Sequence, residues 1–563
     1  MAEPGVVVAG AGQAGFQLAL SLREMGYGGE ITLLGDEPHL PYQRPPLSKA
    51  YLMGTMDEGR LALRSEKTYA DKRIDARTGT RLAALDRQAR RAVLEDGATI
   101  HYGHFVFALG ARNRLLSVPG SDLAGVYYLR TLGDAQALKA AFGSVRNVVV
   151  IGAGFIGLEF AAVAAKHGLA VTVIELADRP MARALSPQMG AVFTREHERS
   201  GVRFLFGEQV RSLRGEGGRV SGVETAGHGI VPAELVLVGI GVLPNAEIAA
   251  DAGLAVANGI VVDEQLATAD PHVSAIGDCA AHPNVHVGGQ VLRIESVQNA
   301  IDQGKCVAAR IMGKPAPYQA VPWFWSDQGE LKLQIAGLTQ GFDQAVVRGD
   351  PGGTSLSVFC YRGGQLAGVE SVNRPGEHMA ARKLLGQRVP LPPEKAADES
   401  LDLKAHAGGG TAVHVLTAKG IQCALLEAGP MLDPAKEYKE HKWPYDYEHR
   451  GAEEGGRVMR LSEAARIISS EEGGLQLRYL QTLTQIANDR RATIFFPLPV
   501  DITRGLIPEV GGHEPAGPRP SDDAPTMQLG PTERPTPRPT PAPDFVDETR
   551  QGDQRFRQRG GDA

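Results

Sequence analysis

Two stretches, Val6-Val7-Val8-Ala9-Gly10-Ala11-Gly12-Gln13-Ala14-Gly15 and Val148-Val149-Val150-Ile151-Gly152-Ala153-Gly154-Phe155-Ile156-Gly157, follow one design: an apolar run, then a G-x-G-x-x-G turn. A helix-forming segment comes after each, Phe16 to Met25 and Leu158 to His167. A lone G-x-G-x-x-G is a weak signal, but a strand before it and a helix after it supply the context of a dinucleotide-binding βα turn. The glycines let the backbone turn tightly and approach a pyrophosphate, whose charge then meets free N–H groups and the positive end of the helix dipole. Two such turns imply an α/β chain that binds two dinucleotides.

Working outward, 563 residues suffice for about three or four domains at roughly 150 residues each. Apolar content of 43% and charged content of 22% are ordinary for a globular protein, and 69 glycines suit a chain built on nucleotide-binding turns. The net charge of −6 argues against a nucleic-acid partner. Cys279, Cys306, Cys360 and Cys423 form no close pair, so neither a metal cage nor a redox-active disulfide is read from them, and a reducing cytoplasm is the default. No basic segment precedes Val6, which makes the first apolar run a strand and not a secretion signal. Val148 to Ala165 is apolar enough to imitate a membrane span, but Gly152, Gly154, Gly157 and Glu159 interrupt it.

The first nucleotide unit continues into strand Ile31-Thr32-Leu33-Leu34, followed by Asp36. The second runs through Ala170-Val171-Thr172-Val173-Ile174-Glu175 to strand Leu235-Val236-Leu237-Val238. Val273-Ser274-Ala275-Ile276, ending in Gly277-Asp278, reads as a return to the first unit. From about 322 to 400 the texture changes to alternation, as in Leu331-Lys332-Leu333-Gln334-Ile335, which predicts an antiparallel sheet in a small α+β domain. An acidic residue closing the second strand of a dinucleotide unit accepts hydrogen bonds from ribose hydroxyls, and Glu175 and Asp36 hold that place. The Glu175 charge repels a 2′-phosphate and favours NADH over NADPH; Arg179 and Arg183, just downstream, either relax that preference or are solvated surface charges.

Six further motifs occur in order: Tyr42-Gln43-Arg44-Pro45-Pro46-Leu47-Ser48-Lys49, Tyr127-Tyr128-Leu129-Arg130-Thr131, Gly239-Ile240-Gly241-Val242-Leu243-Pro244-Asn245, Gly277-Asp278-Cys279-Ala280, Arg293-Ile294-Glu295-Ser296-Val297 and Trp323-Phe324-Trp325-Ser326-Asp327-Gln328. Together they closely resemble the NADH-dependent ferredoxin reductases of the putidaredoxin, rhodocoxin and rubredoxin reductase kind, over about residues 5–404. The resemblance implies a glutathione-reductase-like α/β fold with two dinucleotide-binding domains and a small α+β interface domain. An FAD domain would occupy 1–115 and 241–320, an NAD domain 116–240, and the interface domain 321–404.

By resemblance, FAD is held at Gly10, Gly12, Ala14, Gly15, Asp36, Lys49, Leu82, Arg130, Asp278 and Val297, and NADH at Gly152, Gly154, Ile156, Gly157, Glu175 and Gly241. Lys49 and Glu159 form an ion pair beside the flavin, either catalytic or a plain interdomain contact, and Trp325 is the aromatic residue near the exposed flavin edge. The helix opened by Val297 aims its N-terminus at the flavin pyrimidine, where its dipole stabilises negative charge. No cysteine stands in the Tyr42-Gln43-Arg44 loop and no Cys pair is available over the flavin, so electrons are expected to leave the flavin directly. The implied activity is hydride transfer from NADH to FAD, then single-electron steps to an iron–sulfur ferredoxin or rubredoxin that serves a monooxygenase or dioxygenase. No metal site is implied. An NADH oxidase or quinone-type reductase on the same flavin core is the alternative.

Beyond residue 404 the pieces change character. Ala424 to Pro430 and Lys439 to Tyr445, within 405–455, resemble the N-terminal region of glucose–methanol–choline oxidoreductases, but the strand before Gly408-Gly409-Gly410 is missing. Residues 456–506 resemble the end of stomatin-like band-7 proteins, with Leu477, Leu480 and Leu483 near one helix face, which leaves open a membrane-associated scaffold. The tail 507–563, rich in proline as in Pro535 to Pro543, reads as disordered.

Overall fold

In the computed structural model, which describes residues 5–408, both glycine turns leave the middle of a parallel sheet. The first sheet has the order Val273–Ala275, His104–Phe107, Val6–Ala9, Ile31–Leu34, Ile74–Arg77. The second has the order Arg203–Phe206, Ala170–Glu175, Asn147–Ile151, Leu235–Val238, Val126–Tyr127. Val6–Ala9, Ile31–Leu34 and Leu235–Val238 are buried at every position, which explains why they read as unbroken apolar runs rather than alternating ones. Val273 pairs in parallel with Phe105, so the first sheet is completed by a strand that arrives only after the whole second sheet has been built.

Both nucleotide-turn helices start inside their motifs, at Gln13–Glu24 and Phe155–Lys166, and not at Phe16 and Leu158 where hydrophobic periodicity begins. The second half of each motif already forms the first helical turn. The capping positions are Gly12 and Gly154, both extended and without a side-chain cap, so the leading N–H groups are left for an anion.

The third sheet is antiparallel, in the order Trp323–Gln328, Leu331–Gly337, Gln365–Val372, Leu356–Arg362, Gln344–Gly349. Alternation sorts its two faces. Leu331, Leu333, Ile335, Leu356 and Val358 join the core of the second nucleotide unit with Phe160 and Phe193. Ala336, Phe359, Tyr361 and Val369 pack instead on Ala380, Ala381 and Leu384 of helix Pro375–Gln387. Leu403 and Ala407 are buried in the same cluster, so the packed unit runs past residue 404. The readings for 456–506 and 507–563, and for 405–455 beyond Gly408, lie outside the described residues. Among the described residues, no helix is long and apolar enough to cross a membrane.

Candidate active site

The two glycine turns repeat one division of labour. Gly10 and Gly152 have φ of 115° and 101°; a Cβ on Gly10 would collide with the Ala108 carbonyl, and one on Gly152 would lie 2.6 Å from the Gly239 oxygen. Gly15 and Gly157 would press a Cβ against the carbonyls of Gly10 and Gly152, so they are needed for close strand–helix packing. Between them, Gly12 meets nothing within 4 Å, and Gly154 only the Gly239 oxygen at 3.8 Å. Both turns therefore open a bare backbone cradle beside uncapped N–H groups, which fits a dinucleotide pyrophosphate.

Around the first cradle, Asp36 is exposed just beyond Ile31–Leu34. Its neighbour Glu37 is already engaged, accepting from Arg44 at 2.5 Å and from the Tyr42 hydroxyl at 2.6 Å; Arg44 also donates to the Arg130 carbonyl at 2.8 Å. Burial, partly offset by the Arg44 charge, raises the Tyr42 phenol above its usual range and keeps it a donor. Arg130 and Asp278 meet at 3.0 Å. Leu82 is buried at the start of strand Leu82–Asp86, and the Ala14 methyl packs where a Cβ on Gly277 would lie 3.1 Å away, so Ala14 offers a ligand only backbone. Val297 opens helix Val297–Ile311, capped by the Ser296 hydroxyl, which accepts from Asn299 N–H at 3.1 Å. Gly304 lets that helix approach the first nucleotide helix, since a Cβ there would sit 3.0 Å from the Ala14 carbonyl oxygen.

At the second cradle, the Glu175 carboxylate accepts from Ala153 N–H at 2.7 Å and Ala177 N–H at 2.9 Å, which anchors it to the glycine turn. Ile156 is 44% exposed in the first helical turn and free to face a ligand. The two arginines separate in role. Arg179 is engaged by Asp178 and by the Ala182 and Leu185 carbonyls, whereas a Cβ on Gly241 would lie 3.7 Å from Arg183 Nη2.

The two nucleotide units meet at Lys49 and Glu159, 2.8 Å apart, with side chains 18% and 2% exposed. Glu159 collects more than that one donor. The Ser48 hydroxyl donates to its Oε2 at 2.5 Å and the Ser326 hydroxyl to its Oε1 at 2.6 Å. Ser48 and Ser326 lie within two of the quoted motifs, but nothing local distinguishes these hydroxyls from ordinary buried serines.

Trp325 is half-buried beside Ser326 and makes a tilted pair with Trp323, ring centroids 5.5 Å apart. Trp323 is covered by the Arg382 guanidinium at 4.6 Å and meets His378 edge-on, ring centroids 5.7 Å apart. Burial, then the Arg382 charge, pushes the His378 imidazole down to about 4, so it is neutral at pH 7. Trp323, Met379, Arg382 and Lys383 line an open hollow of about 360 Å³.

Two dinucleotide cradles joined by a buried interdomain ion pair define a pyridine-nucleotide-dependent oxidoreductase with a resident nucleotide cofactor. Residues 4–304 match the pyridine nucleotide-disulphide oxidoreductase family and residues 323–407 the reductase C-terminal family. Rhodocoxin reductase of Rhodococcus erythropolis is 53% identical over 399 residues, covering 71% of this chain and 93% of the relative. The ferredoxin reductase for the CYP199A2 system from Rhodopseudomonas palustris superposes with a TM-score of 0.71 at 52% identity, over 72% of this chain and all of that one. The putidaredoxin reductase in its covalent complex with putidaredoxin gives 0.71 at 38% identity, over 73% of this chain and 100% of that chain. The chain belongs to the pyridine nucleotide-disulphide oxidoreductase family, among its FAD-dependent ferredoxin reductases, and is an enzyme that uses FAD and NAD(P)H. The glutathione-reductase-like fold class and the two cofactors inferred from sequence therefore stand.

Proposed function

We propose that this enzyme oxidises NADH and passes the electrons one at a time to a small iron–sulfur ferredoxin or rubredoxin serving an oxygenase in the cytoplasm. Bound FAD supplies the chemistry that accepts a hydride and releases single electrons. The chain's residues do the rest. Gly10, Gly12 and Gly15, with Ala14, cradle the FAD pyrophosphate; Asp36 takes the adenosine ribose, Asp278 held by Arg130 takes the ribityl chain, and Leu82 and Val297 flank the cofactor. Gly152, Gly154, Ile156, Gly157 and Gly241 receive NADH, with Glu175 set against a 2′-phosphate. Lys49, held by Glu159, stands where the two units meet. On this reading the FAD domain comprises 1–115 and 241–320, the NAD domain 116–240, and the interface domain 321–404 with the few residues to Ala407 that pack on it.

The observation that carries the acceptor assignment is the aromatic pair Trp325–Trp323, on the strand face opposite Ser326 and beside a hollow that Trp323 lines together with Arg382, Lys383 and Asp302. Two cations, Arg382 and Lys383, face one carboxylate, Asp302, on that rim, and this excess of positive charge favours an acidic redox protein. The three cysteines among the described residues support direct electron transfer over thiol chemistry. Burial pushes the Cys279 thiol up to about 11 and raises Cys306 and Cys360 as well, whereas a reactive cysteine needs a depressed value.

The test is spectroscopic and then kinetic. The purified protein should carry a flavin spectrum that NADH bleaches, and cytochrome c reduction should require an added ferredoxin. Peroxide formation that no ferredoxin alters would favour the oxidase reading.

A further inference from the structure

Glu159 is the end point of a hydrogen-bonded chain that runs from His197 of the second nucleotide unit through Gln328 and Ser326 of the C-terminal sheet. Ser326 Oγ donates to Glu159 Oε1 at 2.6 Å and accepts from Gln328 Nε2 at 3.1 Å. Gln328 Oε1 in turn lies 2.9 Å from His197 Nε2, on helix Pro187–Arg199. Gln328 Nε2 also approaches Met181 Sδ at 3.7 Å, so its oxygen is the end that faces His197, and as a carboxamide oxygen only accepts, His197 Nε2 is the donor there. Burial lowers the His197 imidazole's affinity for a second proton, which keeps the ring neutral and the direction of the chain constant. The amide N–H then occupies the lone pair of Ser326, whose single hydroxyl proton is left to Glu159. Ser326, Gln328, His197 and Glu159 are all buried, so no water competes.

We propose that Ser326 and Gln328 are positioning residues for flavin reduction: through this chain the C-terminal domain orients Glu159, and Glu159 holds the Lys49 ammonium at the junction of the two nucleotide units. Side chains alternate along a strand, so Trp325 and Ser326 present opposite faces of Trp323–Gln328. One strand thereby sets the hydride-receiving side with Ser326 and the electron-exit side with Trp325. The strand's register is fixed by its antiparallel pairing, Trp325 with Gln334 and Ser326 with Leu333. The inference rests on the Lys49–Glu159 site proposed above and is independent of the electron acceptor.

The test uses the FAD-loaded full chain, mixed anaerobically with NADH in stopped flow. Losing one hydrogen bond to a buried carboxylate predicts that Ser326→Ala slows the limiting rate of flavin bleaching about tenfold, with the NADH dissociation constant within about twofold of wild type. Ser326→Thr, which keeps the hydroxyl, should recover most of the rate, and Gln328→Met should fall between. In a Glu159→Gln background, Ser326→Ala should cost nothing further. A readout independent of turnover is the double-mutant cycle of Ser326→Ala and Glu159→Gln on the urea unfolding midpoint, where the two changes should be clearly non-additive. If Glu159→Gln slows bleaching but neither Ser326→Ala nor Gln328→Met does, the positioning role is refuted while the ion-pair site survives. If Glu159→Gln itself bleaches at the wild-type rate, both readings fall. If Ser326→Ala does not fold, Gln328→Met and Ser326→Thr decide alone, and a Thr variant as slow as Gln328→Met overturns the proposal.

Discussion

Replacing Glu370 by glutamine should make the protein more stable, and increasingly so as pH rises. Glu370 lies on Gln365–Val372 with no exposure, where Oε1 accepts from Ser186 N–H at 2.9 Å and Oε2 from the Ser186 hydroxyl at 2.6 Å. Ser186 caps helix Pro187–Arg199, so this carboxyl pins the C-terminal sheet, and with it Trp325 and Ser326, to the second nucleotide unit. Burial pushes the acid up to about 7 from an ordinary 4.5, against the bonds from Ser186 and Thr339 and the charge of Arg179. The folded state thus holds this proton more tightly than the unfolded state does. The resulting stabilisation is complete below pH 4.5 and is lost as pH rises through 7. A shift of that size corresponds to roughly 3 kcal/mol. Glutamine is a permanent mimic of the protonated form, its oxygen accepting from Ser186 N–H and its amide donating to the Ser186 hydroxyl. Urea unfolding of both proteins at intervals from about pH 5 to 8 gives a difference curve in which all other titrations cancel. The advantage of Glu370→Gln should grow across that window by about 2.5 kcal/mol. A flat difference would mean that Glu370 does not titrate there, and would refute the reasoning.

Four further outcomes are expected. Glu175→Ala should lower the NADH-to-NADPH ratio of kcat/KM by about tenfold or more, read from steady-state assays with each nucleotide. Lys49→Ala should slow flavin bleaching by NADH by at least about tenfold while the FAD content per chain, measured by absorbance, stays at the wild-type level. Trp325→Ala should leave bleaching by NADH intact but depress ferredoxin-dependent cytochrome c reduction several-fold, as about one aromatic contact at an interface is lost. Deleting residues 409–563 should preserve NADH-to-ferredoxin turnover, because the two family matches end at residues 304 and 407; collapse of activity would give the removed segment a role.

How much was legible depended on whether a feature is local. The uncapped turns at Gly12 and Gly154 and the Ser296 cap follow from a few adjacent residues, and alternation marked the sheet from Leu331 onward as antiparallel. Helix starts were misjudged because hydrophobic periodicity begins one turn after hydrogen bonding does. The Lys49–Glu159 pair was legible by resemblance and forms at 2.8 Å, but the serine partners of Glu159 were not, since Ser48 and Ser326 lie far from it in sequence and a serine gives no sign of which carboxylate it will meet. Resemblance singled out Trp325, but nothing local gave Trp323 a setting of its own, which comes from helix Pro375–Gln387 bringing Arg382 and His378 to its ring.

By itself, then, the sequence determined two strand–glycine–helix turns, because tight backbone approach and free N–H groups are properties of contiguous residues. Its motifs are also the basis of the proposed assignment of FAD to Gly10–Gly15 and of the nicotinamide nucleotide to Gly152–Gly157. The tertiary structure alone decided what stands between those turns. A sheet wedged against the second nucleotide unit delivers Ser326 to Glu159 and Glu370 to Ser186. Contacts of that kind depend on how three sheets pack together, and packing is settled by surfaces assembled from segments far apart in the chain.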